Sequence, residues 1–136
     1  LENGGGSGDI KVAETDGSGL YYVWVDINNL KYKAIKMNWG IIGDATPGSW
    51  SNETPMNYDF ASNTYTYTGA LTAGELKLRA RNVSQAVYNE DWKFAVGNST
   101  EQFAYDTGAS NFPITAGAYT ITLTIGFDGV ATVTGL

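Results

Sequence analysis

The stretch WGIIGDATPGSWSNETPM, residues 39–56, decides the fold. An apolar run, Trp39 to Ile42, meets Gly43-Asp44, then a Thr46-Pro47-Gly48 turn, then Trp50 in a polar loop. A short apolar run closed off by turn residues reads as a buried strand, not as a helix. Thr-Pro-Gly is a turn signal. Trp50 is the unusual element, because loops seldom carry an isolated tryptophan.

Outward from this stretch, alternation of period two dominates, the mark of strands with one buried face. Strands are predicted at 9–14, 20–27, 30–44 with a bend near Asn38, 55–60, 63–71, 75–81, 91–97, 102–106, 111–115, 117–125 and 130–135. Asn28-Asn29 reads as a turn and 45–54 as a loop. No stretch has convincing helical periodicity, although 83–90 has room for one turn. Many short strands at regular spacing predict an all-β, antiparallel sandwich of the immunoglobulin-like kind. Trp39 and Trp24 alternate with apolar neighbours and are predicted to be core.

Composition agrees. The 136 residues include 17 glycines and nine tyrosines. There is no cysteine and no histidine, which removes disulfides, thiolate metal sites and the usual triads. The net charge is −6 with only eight Lys and Arg, so a nucleic-acid partner is not expected. No apolar run reaches the ~20 residues of a membrane helix. No signal peptide is visible, as would hold for a mature exported chain. No cofactor or metal is assigned; the scattered aspartates leave room for a calcium site, but no EF-hand spacing occurs. Nor can any carboxylate pair be set at glycosidase spacing. Asp44, Asp59, Asp91, Asp106 and Asp128 fall at or near turns, where aspartate serves the backbone.

Residues 1–8, LENGGGSG, read as a flexible linker. One internal repeat is present: 18–35 resembles 116–133, with Tyr21, Val23, Val25 and Ile27 aligned to Tyr119, Ile121, Leu123 and Ile125. Residues 9–36 thus read as a hairpin like the tail of a preceding module, and 37–136 as a complete module. An isolated hairpin is marginal in water, so self-association through this hairpin is a further expectation.

The Trp39–Trp50 segment and Thr54-Pro55-Met56 resemble the opening of the C-terminal starch-binding modules of the SusE and SusF outer-surface lipoproteins of Bacteroidota. Further matches follow in order: Tyr65 to Gly69, Leu71 to Ala80, Asp91-Trp92, and Ala116 to Leu123. The resemblance covers about 37–136. It implies a β-sandwich with no enzymatic activity that binds starch or another α-glucan. It also implies a lipid-anchored protein at the outer membrane and cell surface, working with other glycan-uptake proteins on polysaccharide or oligosaccharide.

Sugars present apolar C–H faces and hydroxyl rims, so a site wants aromatic platforms beside donors. Along 75–81, Leu76 and Leu78 fall on one face and Lys77, Arg79 and Arg81 on the other, three of eight cations within five residues. Such a row is a donor ridge or a plain solvated face. By the resemblance, Trp92 is the platform beside it; burial in the core is the competing role. Trp50 is predicted to anchor its loop ahead of carrying sugar. Two departures from the family pattern stand out. The 82–91 connection is long, with Asn82, Gln85, Tyr88 and Asn89 as substitute polar groups. Ala95 stands where an asparagine is usual. The carbohydrate-binding candidates are thus Trp92, Arg79, Lys77, Arg81, Asn82, Tyr88 and Trp50, with no catalytic residue. A spacer module of the same fold that has lost its binding groups is the alternative.

Overall fold

The computed structural model describes residues 19–81, 93–105 and 108–136, the side chains of Lys33, Arg81, Lys93 and Tyr105 excepted. The predicted linker at 1–8, the predicted strand at 9–14 and the helical turn at 83–90 lie outside the described residues. The chain divides into two compact units, with the boundary between Met37 and Asn38.

In the first unit, β1 (Tyr21–Asp26) pairs antiparallel with β2 (Lys31–Lys36), Asp26 opposite Lys31. The reversal is built on Asp26. Its carboxylate accepts from the backbone N–H groups of Asn28 and Asn29, both at 3.0 Å, and from the Asn29 side-chain amide at 2.8 Å. Leu30 completes the turn at φ 51°. The prediction that Trp24 is core is corrected: it is 37% exposed, and Ile27 beside the turn is 79% exposed. A two-stranded ribbon has no second layer of its own. Alternation reports what a strand can bury, not whether anything covers it.

The second unit holds two antiparallel sheets. One contains β3 (Trp39–Ile42), β4 (Thr54–Pro55), β7 (Gly74–Arg81), β8 (Lys93–Val96), β10 (Ala104–Tyr105) and β11 (Phe112–Ile114). Its order is β10-β8-β7-β3-β4, with β11 also on β7. The other contains β5 (Asn57–Asp59), β6 (Thr64–Leu71), β9 (Thr100–Gln102), β12 (Gly117–Ile125) and β13 (Val130–Thr134), in the order β5-β6-β12-β13-β9. The inward residues of the two sheets make the core of a β-sandwich. Trp39, Ile41, Leu76, Leu78 and Val96 come from the first; Tyr65, Ile121, Leu123 and Ala131 from the second. Each large aliphatic side chain so buried stabilises by about 1.5–3 kcal/mol.

Two predicted strands are corrected. Residues 55–60 form β4 and β5, which belong to different sheets, and 102–106 likewise divide between β9 and β10. The chain changes layer at Met56 and at Phe103. Met56 is buried and its N–H donates to the Trp39 carbonyl at 3.0 Å. Phe103 meets Trp39 edge-on at 6.2 Å and Phe94 at 5.1 Å between ring centres. One apolar residue enters the core while its neighbours pair on opposite sides of it.

The repeat matches in pattern but not in surroundings. Ile121, Leu123 and Ile125 on β12 are buried, whereas Val23, Val25 and Ile27 are exposed. Strand β12 is paired on both edges, by β6 and β13.

Candidate functional site

The register of three adjacent strands sorts the first sheet into two faces. Trp39 pairs with Ala80, Ile41 with Leu78, and Leu78 with Val96; these side chains point inward and are buried. The alternate positions lie on the opposite face: Gly40 across from Arg79, Ile42 across from Lys77, and Ala95 across from Arg79 on the other side, and these three are buried as well. Lys77 and Arg79 are half-buried on this outer face, as the strand alternation predicts.

The 43–53 segment folds onto this region by a chain of local bonds. Gly43 sits at φ +150°, and a Cβ there would lie 2.0 Å from the Glu75 carbonyl oxygen, so only glycine fits. The Gly43 carbonyl accepts from the Thr46 N–H at 2.9 Å and from its hydroxyl at 2.8 Å. The Gly43 N–H donates to Ser49 at 3.1 Å, closing the loop on itself. Asp44 Oδ1 accepts the Glu75 N–H at 2.6 Å, and the Ala45 carbonyl accepts the Thr72 N–H at 3.1 Å. Ala45 and Thr46 are buried. Anchoring therefore falls to Gly43 through Thr46. Trp50, at the far end, keeps 43% exposure, and the Lys77 ammonium stands 6.0 Å from its ring centre. That is cation–π range.

Arg79 is held from the β4 side. Glu53 Oε1 meets Arg79 Nε and Nη2, each at 2.5 Å, and both side chains are largely buried, at 13% and 14% exposure. Glu53 reaches there because position 40 has no side chain: a Cβ on Gly40 would lie 2.7 Å from the Thr54 carbonyl and 2.9 Å from Glu53 Cβ.

Among the predicted site residues, the structure brings Lys77 and Trp50 together and sets Arg79 two positions along the same strand. Arg81 ends β7, directly opposite Lys93 in the ladder. Trp92, Asn82 and Tyr88 lie outside the described residues. Glu53 was missed, because nothing in the sequence reveals that Thr54-Pro55 pairs with β3. A cleft of about 410 Å³ was also missed; it lies between the 97–99 turn, β11 and the end of β13. Two of its asparagines are already engaged: Asn98 donates to Glu101 at 2.5 Å and Asn111 to Glu75 at 2.9 Å. Its parts come from three distant segments, so no local motif announces it. Among the described residues, no group of three or more acidic side chains is arranged to hold a metal ion.

Comparison with protein-family models, curated proteins and solved structures finds no match for the chain.

Proposed function

We propose that residues 37–136 form a non-catalytic glycan-binding module, immunoglobulin-like in topology and of the SusE/SusF type. In this reading it belongs to a lipid-anchored protein at the outer membrane and cell surface that works with other glycan-uptake proteins. The observation that carries the reading is Trp50, nearly half exposed beside Lys77 on a sheet face that also holds Arg79. An aromatic ring offers an apolar face to the C–H side of a sugar, and the ammonium beside it donates to hydroxyls. Arg79, fixed by Glu53, presents its guanidinium in a set orientation, with Arg81 further along. Trp92, Asn82 and Tyr88 extend the site in this reading. α-Glucan is the ligand class that the family resemblance supplies.

A second reading, a spacer of the same fold, is favoured by the burial of Ala95 next to Arg79 and by the commitment of Arg79 to Glu53. Affinity electrophoresis in native gels containing amylopectin, pullulan, dextran or xylan separates the two. Retardation of the wild type that is lost in Trp92→Ala and weakened in Trp50→Ala supports binding. Unretarded migration in every gel removes the α-glucan reading and favours the spacer.

A further inference from the structure

Residues 38–136 contain four cations, Lys77, Arg79, Arg81 and Lys93, against nine carboxylates. All four cations are on β7 and β8, which are neighbours in one sheet. The ladder sets position 81 opposite position 93, and alternation puts both on the face of 77 and 79. By backbone position, all four cationic residues of an acidic module thus fall on one face of one sheet. Among the described residues, two carboxylates share it: Glu53, paired with Arg79, and Glu75, which accepts from Asn111. The other described carboxylates, Asp44, Asp59, Glu101 and Asp128, lie on other strands and turns. A random scatter of four cations over the module's eleven strands does not produce this. A solvated outer face does not call for it either: the outward positions of β6, β12 and β13 are mainly threonine.

We propose that this face recognises an anionic polysaccharide, one bearing uronate carboxylates or sulfate esters, in preference to a neutral glucan. The proposal rests on the glycan-binding reading above and puts an acidic glycan in place of its neutral α-glucan. Positions 77 to 81 span about 13 Å along the strand, the length of a few sugar units rather than of a single small anion. Guanidinium and ammonium groups donate charge-assisted hydrogen bonds to carboxylate or sulfate oxygens, stronger than those to hydroxyls. Trp50 beside Lys77 supplies the apolar contact that makes the ligand a sugar acid and not any polyanion.

Isothermal titration of the whole chain with hexagalacturonate, a chondroitin sulfate hexamer and maltohexaose tests this, at low and high ionic strength, with polyglutamate as a sugar-free polyanion. The expected result is binding of an acidic hexamer about tenfold or more tighter than maltohexaose, the effect of one added charge-assisted bond. The preference is expected to shrink with salt and to be lost in the double variant Lys77→Gln, Lys93→Gln. Whether the uronate or the sulfate binds tighter identifies the acid. Equal or tighter binding of maltohexaose overturns the anionic preference and leaves the glycan reading standing. Polyglutamate binding as tightly as the acidic hexamers reduces the face to a charge patch and overturns the sugar assignment. Binding of none of the four overturns both readings. Circular dichroism of the variant, matched to wild type, keeps a folding defect from mimicking lost affinity.

Discussion

Glu53 and Arg79 meet at 2.5 Å over the one outer-face position, Gly40, that has no side chain. The glycine is there for closeness, since an added Cβ would strike the Thr54 carbonyl and Glu53 itself. Gly40→Ala is therefore expected to destabilise by about 1–3 kcal/mol, the usual cost of overpacking. Urea unfolding should show a lower midpoint with an unchanged slope. An unshifted midpoint would mean that β4 can stand off from β3 at little cost.

The ion pair makes its own prediction. Arg79→Gln and Glu53→Gln should each cost about 1–2 kcal/mol, because each leaves a largely buried partner with weaker bonds. In a double-mutant cycle the coupling should be about 1 kcal/mol. Coupling indistinguishable from zero would show that the two charges are held by other neighbours and not by each other.

Asp44 separates hydrogen bonding from charge. Its Oδ1 accepts the Glu75 amide. Asp44→Asn keeps an oxygen in that place and should be close to neutral. Asp44→Ala removes it and should cost about 1–3 kcal/mol. The same loop forbids Gly43→Ala, where backbone would meet side chain at 2.0 Å; a loss of about 3 kcal/mol or failure to fold is expected.

The pH limits of stability can be assigned to named groups. The Asp59 carboxylate accepts from the Ser62 hydroxyl at 2.7 Å and the Ala61 N–H at 3.0 Å, and the Ser62 bond first among these holds its carboxyl below the ordinary 3.8. A lowered folded value stabilises at pH above 3.8, and that contribution fades as pH falls through the folded value. Asp26 behaves alike through Asn29. At the other limit, burial pushes the Tyr65 phenol well above its ordinary 10.0, with the neighbouring Tyr58 adding to the shift. Its contribution is complete below pH 10 and is lost as pH rises toward the folded value. Thermal melts from acid to alkali should plateau between these limits. Tyr65→Phe should extend the plateau upward, and Asp59→Asn should flatten the acid slope.

Strands and turns were legible in the sequence because each leaves a local trace: period two for β6, β7 and β12, Asn and Gly where the chain reverses. Sheet membership was not, because alternation says that a residue turns inward and not toward which partner strand. This is why 55–60 looked like one strand. Trp24 failed for a related reason: its alternation is real, but alternation does not say how far a position is covered, and Trp24 keeps 37% exposure. In the candidate site, the Lys77 and Arg79 row followed from alternation. Glu53 and Lys93 did not, because each joins the row only through pairing with a distant strand.

The 43–53 loop spends its backbone bonds on itself and on the 72–75 turn, and it does so without any ligand. The conformational entropy of fixing Trp50 has therefore already been met during folding. A sugar settling on that ring orders only itself and a few side chains. Such preorganisation favours a small entropic penalty and a fast, simple association. It also lets a weak single contact count fully toward avidity when many modules meet one long polymer.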